Sequence, residues 1–441
     1  MINSKKIFQL AQQQGIQSLE LFTKRTARLS VISYRNEVEN MTSADTTSLY
    51  ARGLYNGKMG YANTELLDAT TGQFVIEQIK ENAEITDSEE QQQIFKGSPK
   101  YKKVKTYNPL LEQWTAQDKV IFAKQLENKI RYLDSRVDDA RVEVEYCVTE
   151  TMLENSFGLK LKSRRNYFVI YADVVVKDGD VKKNGYSITV DNDMQKLDVD
   201  AIAKEGVDNA IAKLGAQPCD SGRYSVIFNP EVTANLVNFF VKNAIAEEVQ
   251  KHSSVFEGKL NEEVASRCVT VTEMPIRNDY TGAAFDDEGV ATYNKPIINK
   301  GILKTYAYNL TTAEKDGVQS TGNAQRTGAG KIGTGFNTLC LKPGNIREEH
   351  LIGSVARGLY ITSVQGLHAG MNPHSGNFSL QAEGFEIEDG VKGRPVALIT
   401  IAGNLFDMFK DVKAVASNSK LSYLGVECPS IKVGSIAVSG K

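Results

Sequence analysis

His368, Asn372, His374 and Ser375 fall within one short glycine-rich stretch, GLHAGMNPHSGNFSL. A histidine beside a serine is the raw material of a nucleophile and its base. The surroundings do not favour that use, because the G-x-S-x-G elbow that exposes a nucleophilic serine is absent. The same residues read as a turn entering a strand, with Asn372-Pro373 opening it and Gly376 at positive φ. Glu248 and His252 are spaced i, i+4 and could offer two ligands on one helix face. Nothing nearby supplies a third, so a solvated charged face is the plainer reading. TGAGKIGTG, residues 327–335, contains G-x-G-x-x-G at Gly328, Gly330 and Gly333. A phosphate loop needs a buried strand before it and Ser or Thr after its lysine. Here the preceding QSTGNAQR is polar and Ile332 follows Lys331, so a mobile loop is expected. Asp286, Asp287 and Glu288 in FDDEG fit no calcium loop and read as an acidic turn closed by Gly289. Cys147, Cys219, Cys268, Cys340 and Cys428 are odd in number, scattered and without a C-x-x-C pair. Buried reduced thiols in a cytosolic protein are expected, not a disulfide framework or a zinc ribbon.

The elements that would position these groups fall into two regions. The first half looks like a divergent duplication. One unit opens at Leu19 with alternating strands and closes with a helix near Gly72–Asn82. A second opens at Val142 and closes with a helix near Val199–Leu214. Asn56-Gly57 and Asp178-Gly179 are turn signals at matching places. This pattern predicts two similar α/β layers packed together. Asp87–Lys105 reads as a polar surface loop, and Trp114–Leu133 as a helix with Val120, Ile121, Ala123, Leu126 and Ile130 on one face. Past Gly215 a strand at Tyr224–Phe228 leads to Asn229-Pro230, an N-cap and first helical residue. One long amphipathic helix is expected over 229–252, with Leu236, Phe239, Phe240, Ala244 and Ile245 as its apolar stripe. From about residue 262, short apolar runs between Gly, Asp and Asn argue for strands. The fold class expected is α+β: an N-terminal duplicated α/β region over 1–220, then a β-rich C-terminal domain over 221–441.

The chain has 441 residues, enough for two or three domains, with 41% apolar and 24% charged residues. Its 52 basic and 54 acidic residues nearly cancel. That balance gives no electrostatic reason to expect nucleic acid or membrane as partner. The N-terminus, MINSKKIFQLAQQQG, opens an amphipathic helix and has no signal-peptide core. No apolar run is long enough to cross a bilayer; the scattered cysteines suit a cytosolic protein, so a cytoplasmic location is expected.

Several stretches together resemble the TldD/PmbA family, also called modulators of DNA gyrase. They are NPEVTANLVNFFVKNAIAEEVQKHS, SVFEGKLNEEVASRCVTVTEMP, FDDEGVATYNKPIINKGILKTYAYN and, near the end, ALITIAGNLFDMFKDV. In the catalytic branch the first stretch carries His-Glu-x-x-x-His, which holds zinc. Counting back from Ser254-Val255-Phe256 places that motif on residues 237–242, where Val237, Asn238 and Lys242 replace the His, Glu and His. The family's zinc chains also use a cysteine near the C-terminus, in the region of Cys428. The resemblance therefore implies the TldE/PmbA branch, with no metal and no catalytic residue in this chain. Zinc is expected in a TldD-type partner. It implies a heterodimer with that partner, or a homodimer, acting on unfolded peptides such as bacteriocin leader peptides or antitoxins. His368, Asn372, His374 and Ser375 are the candidates to line the substrate cavity. A stand-alone homodimeric peptide-binding protein, an independent hydrolase using His368 or His374, and a gyrase modulator are the alternatives.

Overall fold

The computed structural model describes residues 3–86, 92–328 and 330–441. The first five residues of the expected loop at 87–105, and residue 329 of the glycine-rich loop, lie outside them. Residues 92–105 carry neither helix nor strand.

The first half runs α1 (Ser4–Gln13), β1 (Ser18–Tyr34), β2 (Glu37–Tyr55), β3 (Lys58–Thr64), α2 (Thr71–Glu84), α3 (Ala116–Leu133), β4 (Val137–Asn155), β5 (Lys160–Asp178), β6 (Val181–Asp191) and α4 (Val199–Ile211). The repeat is thus helix, three strands, helix, so the helix expected between the two units opens the second one. The units are not stacked as separate layers. They join edge to edge through β1 and β4 into one antiparallel sheet of order β3-β2-β1-β4-β5-β6. The β1–β4 ladder runs from Glu20 opposite Asn155 to Tyr34 opposite Arg141. Each unit alone would leave its first strand as a bare edge, and pairing the two removes both edges. Asn56 and Gly57 both take positive φ in the β2–β3 hairpin, as its two-residue turn requires. Gly60 in β3 and Gly185 in β6 hold matching places. A Cβ on either would run into the backbone of the closing helix, at Ile79 of α2 or Ala210 of α4.

All four helices cover one face of this sheet. Ile7, Leu19, Leu21, Leu49, Val75, Ile76 and Ile79 pack beneath α1 and α2. Leu126, Ile130, Val142, Val144, Phe168, Ile170 and Val207 do the same beneath α3 and α4. A capping box between Thr115 and Asp118 starts α3.

The second half continues with β7 (Gly222–Phe228), α5 (Pro230–Lys242), α6 (Ala246–Gln250), β8 (Val271–Glu273), β9 (Lys295–Asn299), β10 (Ile302–Leu303), α7 (Leu310–Lys315), β11 (Ala324–Arg326), β12 (Ile332–Thr334) and β13 (Leu339–Leu341). Then come α8 (Glu348–Gly353), β14 (Arg357–Gln365), α9 (Leu367–Gly370), β15 (Asn377–Glu388), β16 (Val391–Asn404), α10 (Leu405–Lys410), β17 (Val412–Val415), β18 (Lys420–Leu421), β19 (Val426–Cys428) and β20 (Ile431–Ser439). Two six-stranded sheets form, β10-β9-β8-β13-β19-β18 and β16-β15-β14-β7-β20-β17. Helix α5 lies between them, touching β19 on one side and β14 and β7 on the other. The chain is therefore α+β with a β-rich C-terminal half. The glycine-rich segment expected as a loop is instead bounded by a hairpin, in which β11 pairs with β12. No helix follows it, so it has no phosphate-loop architecture.

Candidate functional site

The site to test is helix α5, because the resemblance places a metal motif there. Asn229 caps it by accepting from the Val232 amide at 2.8 Å, and Pro230 occupies its first turn. The helix is shorter than the single helix expected over 229–252. It stops at Lys242, and α6 begins at Ala246. Between them the backbone turns outward to pair with another segment. The Ala307 amide donates to Ala244 O at 2.8 Å, and the Ala246 amide donates to Ala307 O at 2.9 Å. Strand-like bonds to a distant residue have replaced the helical ladder there.

The buried side of α5 is wider than one stripe. Val232, Ala234, Leu236, Val237, Phe240 and Val241 are all buried, whereas Phe239 of the expected stripe only borders the core. A helix enclosed by two sheets must be apolar nearly all round. Phe240 stacks on Phe409 with ring centroids 4.1 Å apart and meets Phe256 edge-on at 5.3 Å.

The motif-equivalent positions follow from this packing. Val237 is fully buried among these apolar groups. Asn238 is half-buried. Lys242 is exposed, with its ammonium 5.4 Å from the Phe239 ring centroid. Cys428 lies on β19, the strand against which α5 packs, and is fully buried in the same apolar cluster. Burial pushes its thiol well above the ordinary range, away from the thiolate a metal needs. A zinc ion does not fit this donor set: one protonated thiol, an isopropyl group, an amide and an exposed ammonium. Among the described residues no three His, Cys, Asp or Glu side chains converge as a metal group.

The Glu248–His252 pair does not form. His252 lies beyond the end of α6 with φ +57, and its Nδ1 is 2.7 Å from Glu257 Oε1. Glu248 instead accepts from Ser253 Oγ at 2.7 Å. The reason is the early end of α6, which removes the helical spacing on which the pair depended.

His368 sits in the single turn of α9, and Asn372, His374 and Ser375 form the exposed bend before β15. Asn372 Oδ1 accepts from the amides of His374 and Ser375 at 3.0 and 2.9 Å. Gly376 takes φ +74, with Phe406 packed against it. His374 Nδ1 is 2.9 Å from Ser253 O, so that nitrogen carries the proton. Ser375 Oγ accepts from the Asn377 amide at 3.3 Å. The bend therefore leans on the segment just after α6, and Asn243 at the end of α5 donates to Pro373 O at 3.4 Å.

Two features escaped the sequence reading. One is a buried ion cluster where the two halves meet. Arg52 on β2 bonds Glu20 at 2.8 and 3.1 Å and Glu288 at 2.8 Å. Arg326 on β11 reaches the same Glu20 at 2.7 Å and lies 4.7 Å from the Phe22 ring centroid. Burial opposes the Arg52 charge, but Glu20 and Glu288 more than offset it and raise its pKa. FDDEG does form the expected turn, with the Gly289 amide donating to Asp286 O at 3.0 Å and Gly289 at φ +84, but Asp286 and Glu288 are buried. Asp286 accepts from the Glu288, Val290 and Ala324 amides. Burial, then the Glu288 charge, pushes its carboxyl well above the usual range. An arginine inside the alternating strand YARGLY was the available signal, and it names no partner.

The other feature is a cleft of about 750 Å³ between the halves, lined by Tyr61, Gln92, Glu247, Gln250, Asn309 and Glu314 among others. None of His368, Asn372, His374 or Ser375 lines it. The cysteines also split: Cys147, Cys219 and Cys428 are buried, Cys340 is half-buried, and Cys268 is exposed, against the expectation that all are buried. Cys268 sits in a tight surface turn, with its Sγ 3.6 Å from Lys413 O.

This architecture has known counterparts. Residues 221–440 match the PmbA/TldA metallopeptidase C-terminal domain, and residues 109–214 match the central domain. The chain belongs to the PmbA/TldD metallopeptidase family. A metalloprotease PmbA homologue of Buchnera aphidicola is 28% identical over 334 residues, covering 74% of this chain and 71% of that one. A metalloprotease of Methanothermobacter thermautotrophicus is 24% identical over 424 residues, covering 93% and 90%. Among solved structures, a candidate modulator of a DNA gyrase from Thermotoga maritima superposes with a TM-score of 0.90 at 28% identity, covering 99% of both chains. TldE from Thermococcus kodakarensis shares the fold, with a TM-score of 0.89 at 23% identity over 99% of this chain and 100% of that one.

Proposed function

We propose that this chain is the TldE/PmbA-type subunit of a cytoplasmic zinc metalloprotease pair. A TldD-type chain supplies the zinc and its ligands; this chain completes the cavity that admits unfolded peptide. The observation that carries this reading is the packing of α5. Its motif-equivalent Val237 is core, its Lys242 points to solvent, and Cys428 opposite is a packed thiol. The metalloprotease names of the relatives support a proteolytic setting. No helix among the described residues is long and apolar enough to cross a membrane.

The gyrase name borne by the Thermotoga protein finds no electrostatic support here, since basic and acidic residues number 52 and 54. The decisive experiment mixes this chain with a TldD-type partner and follows cleavage of an unstructured peptide. Cleavage should require both chains. A rate unchanged by this chain, or about one zinc per molecule of the lone chain by elemental mass spectrometry, would overturn the reading.

A further inference from the structure

The helices do not cover their face of the first sheet evenly. A trough of about 680 Å³ lies open on it, bounded by Ser4 of α1 and by Leu67. Leu21, Thr23, Leu49 and Met152 supply its apolar floor. Arg25, Lys162 and Arg164 stand at its charged end and rim, together with Glu150 and Glu154.

The duplication shows what fills such a place. Ile16, Leu19 and Leu21 match Val137, Ala140 and Val142 as the first apolar residues beneath each unit's opening helix. Thr23 and Arg25 then match Val144 and Tyr146. Across the β1–β4 ladder, their neighbours Met152 and Glu150 match Val31 and Leu29. In the second unit this ground is roofed by α3, which packs on both β4 and β1. Val144 and Val31 are fully buried, and the Lys119 ammonium sits 4.9 Å from the Tyr146 ring centroid. In the first unit Thr23 and Met152 are only half-buried.

The two units differ in helix length. Both opening helices stop just before their first strand, but α3 has 18 residues and α1 has 10. Residues 116–123 of α3 therefore have no counterpart among the described residues of the first unit. Such a stretch makes about 12 Å of helix, or two turns. Ser4, the first residue of α1, lines the trough, so two turns laid before it fall in the trough.

The charges set the chemistry of the occupant. Glu150 is held by Arg164 at 2.8 Å and Arg25 at 3.3 Å, and Glu154 by Lys160 at 2.6 Å. Lys162 is exposed on the same rim and has no ion-pair partner among the described residues. Where α3 lays Lys119 on Tyr146, the trough offers Arg25. A helix seated there needs an acid where α3 has its lysine. That requirement rules out α3 of a second copy, which would set Lys119 against Arg25.

We infer that the trough is a docking site for a two-turn amphipathic helix from a different polypeptide. Its apolar face lies on Thr23, Leu49 and Met152, and its acidic edge meets Arg25 and Lys162. Helices dock in apolar grooves through anchors spaced about one turn apart. This inference goes beyond the protease-subunit reading and does not rest on it.

The test is fluorescence anisotropy of a labelled synthetic peptide of residues 115–124 carrying Lys119→Glu, titrated with the full chain. Saturable binding with a gain of helical circular dichroism is expected. The unsubstituted peptide should bind about tenfold more weakly, the worth of one charge-assisted bond. Thr23→Trp, which fills the trough, should abolish binding. Lys162→Glu, at an exposed position, should weaken it by about tenfold as well. Absence of saturable binding by the Lys119→Glu peptide overturns the inference. Binding that Thr23→Trp and Lys162→Glu both leave intact also overturns it, because the peptide then sits elsewhere. A change of solution mass in either variant would show that a second copy fills the trough, and would overturn the foreign helix.

Discussion

Arg52 is a single residue on which the two halves of the molecule depend. Its guanidinium is 2% exposed and is shared between Glu20 of the first half and Glu288 of the second. Removing one partner of a buried ion pair strands the others and costs about 3–5 kcal/mol. Arg52→Met is expected to lower stability by that order in urea unfolding. Glu288→Gln, which keeps a hydrogen-bonding group in place, should cost less. Lys119 makes a second residue-scale prediction. It is 1% exposed, donates to the Trp114 and Thr115 carbonyls and lies 4.8 and 4.9 Å from the Trp114 and Tyr146 ring centroids. Burial pulls its ammonium down from 10.5 to about 8. The folded chain gives up this proton near pH 8 and the unfolded chain near 10.5, so unfolding takes up a proton between those values. The contribution of this group to stability therefore rises with pH across that window. Lys119→Met should flatten the rise, as read by chemical unfolding at stepped pH.

At the scale of elements, each repeat unit closes by pressing its last helix onto a glycine of its third strand. Gly60 meets the Ile79 backbone of α2, and Gly185 meets the Ala210 backbone of α4. Backbone cannot yield as a flexible side chain can, so Gly60→Ala and Gly185→Ala must each push a helix off the sheet. The expected cost is about 1–3 kcal/mol per site, the usual range for overpacking. The two costs should add, because the sites lie in separate cores. A loss of less than about half a kcal/mol for either variant, the scale of ordinary surface changes, would show that the contact is not tight. Helix α5 shows the same logic without a glycine. A segment enclosed by two sheets keeps no polar face deep inside, which is why Val237 fills space there.

At the scale of the whole molecule, the second half surrounds α5 with sheets, and the first half offers its helix-free sheet face to the second. Arg326 against Phe22 and Tyr280 against Tyr167, with ring centroids 5.5 Å apart in the latter, join them across that face. The clefts between the halves exist only because the two are apposed. The proposed requirement for a TldD-type chain belongs to this scale, and it is read in assembly and peptide cleavage, not in the stability of one domain.

Local patterns in the sequence were enough to specify the repeat, its hairpin turns, the Asn229 cap and the strand-rich second half. Each of these rests on periodicity, turn chemistry or residue identity within a few positions, which a chain carries in itself. Tertiary structure alone decided the rest. It joined the units through β1 and β4, ended α5 at Lys242 because Ala307 offers better-placed backbone bonds, and turned an apparent acidic turn into a buried ion cluster 236 residues from its arginine. Among the described residues it also left the outer edge of β2 from Glu37 to Ser48 unpaired and covered the matching stretch of β5. These outcomes depend on which distant groups come to share a dehydrated space, and local pattern carries no record of distant partners.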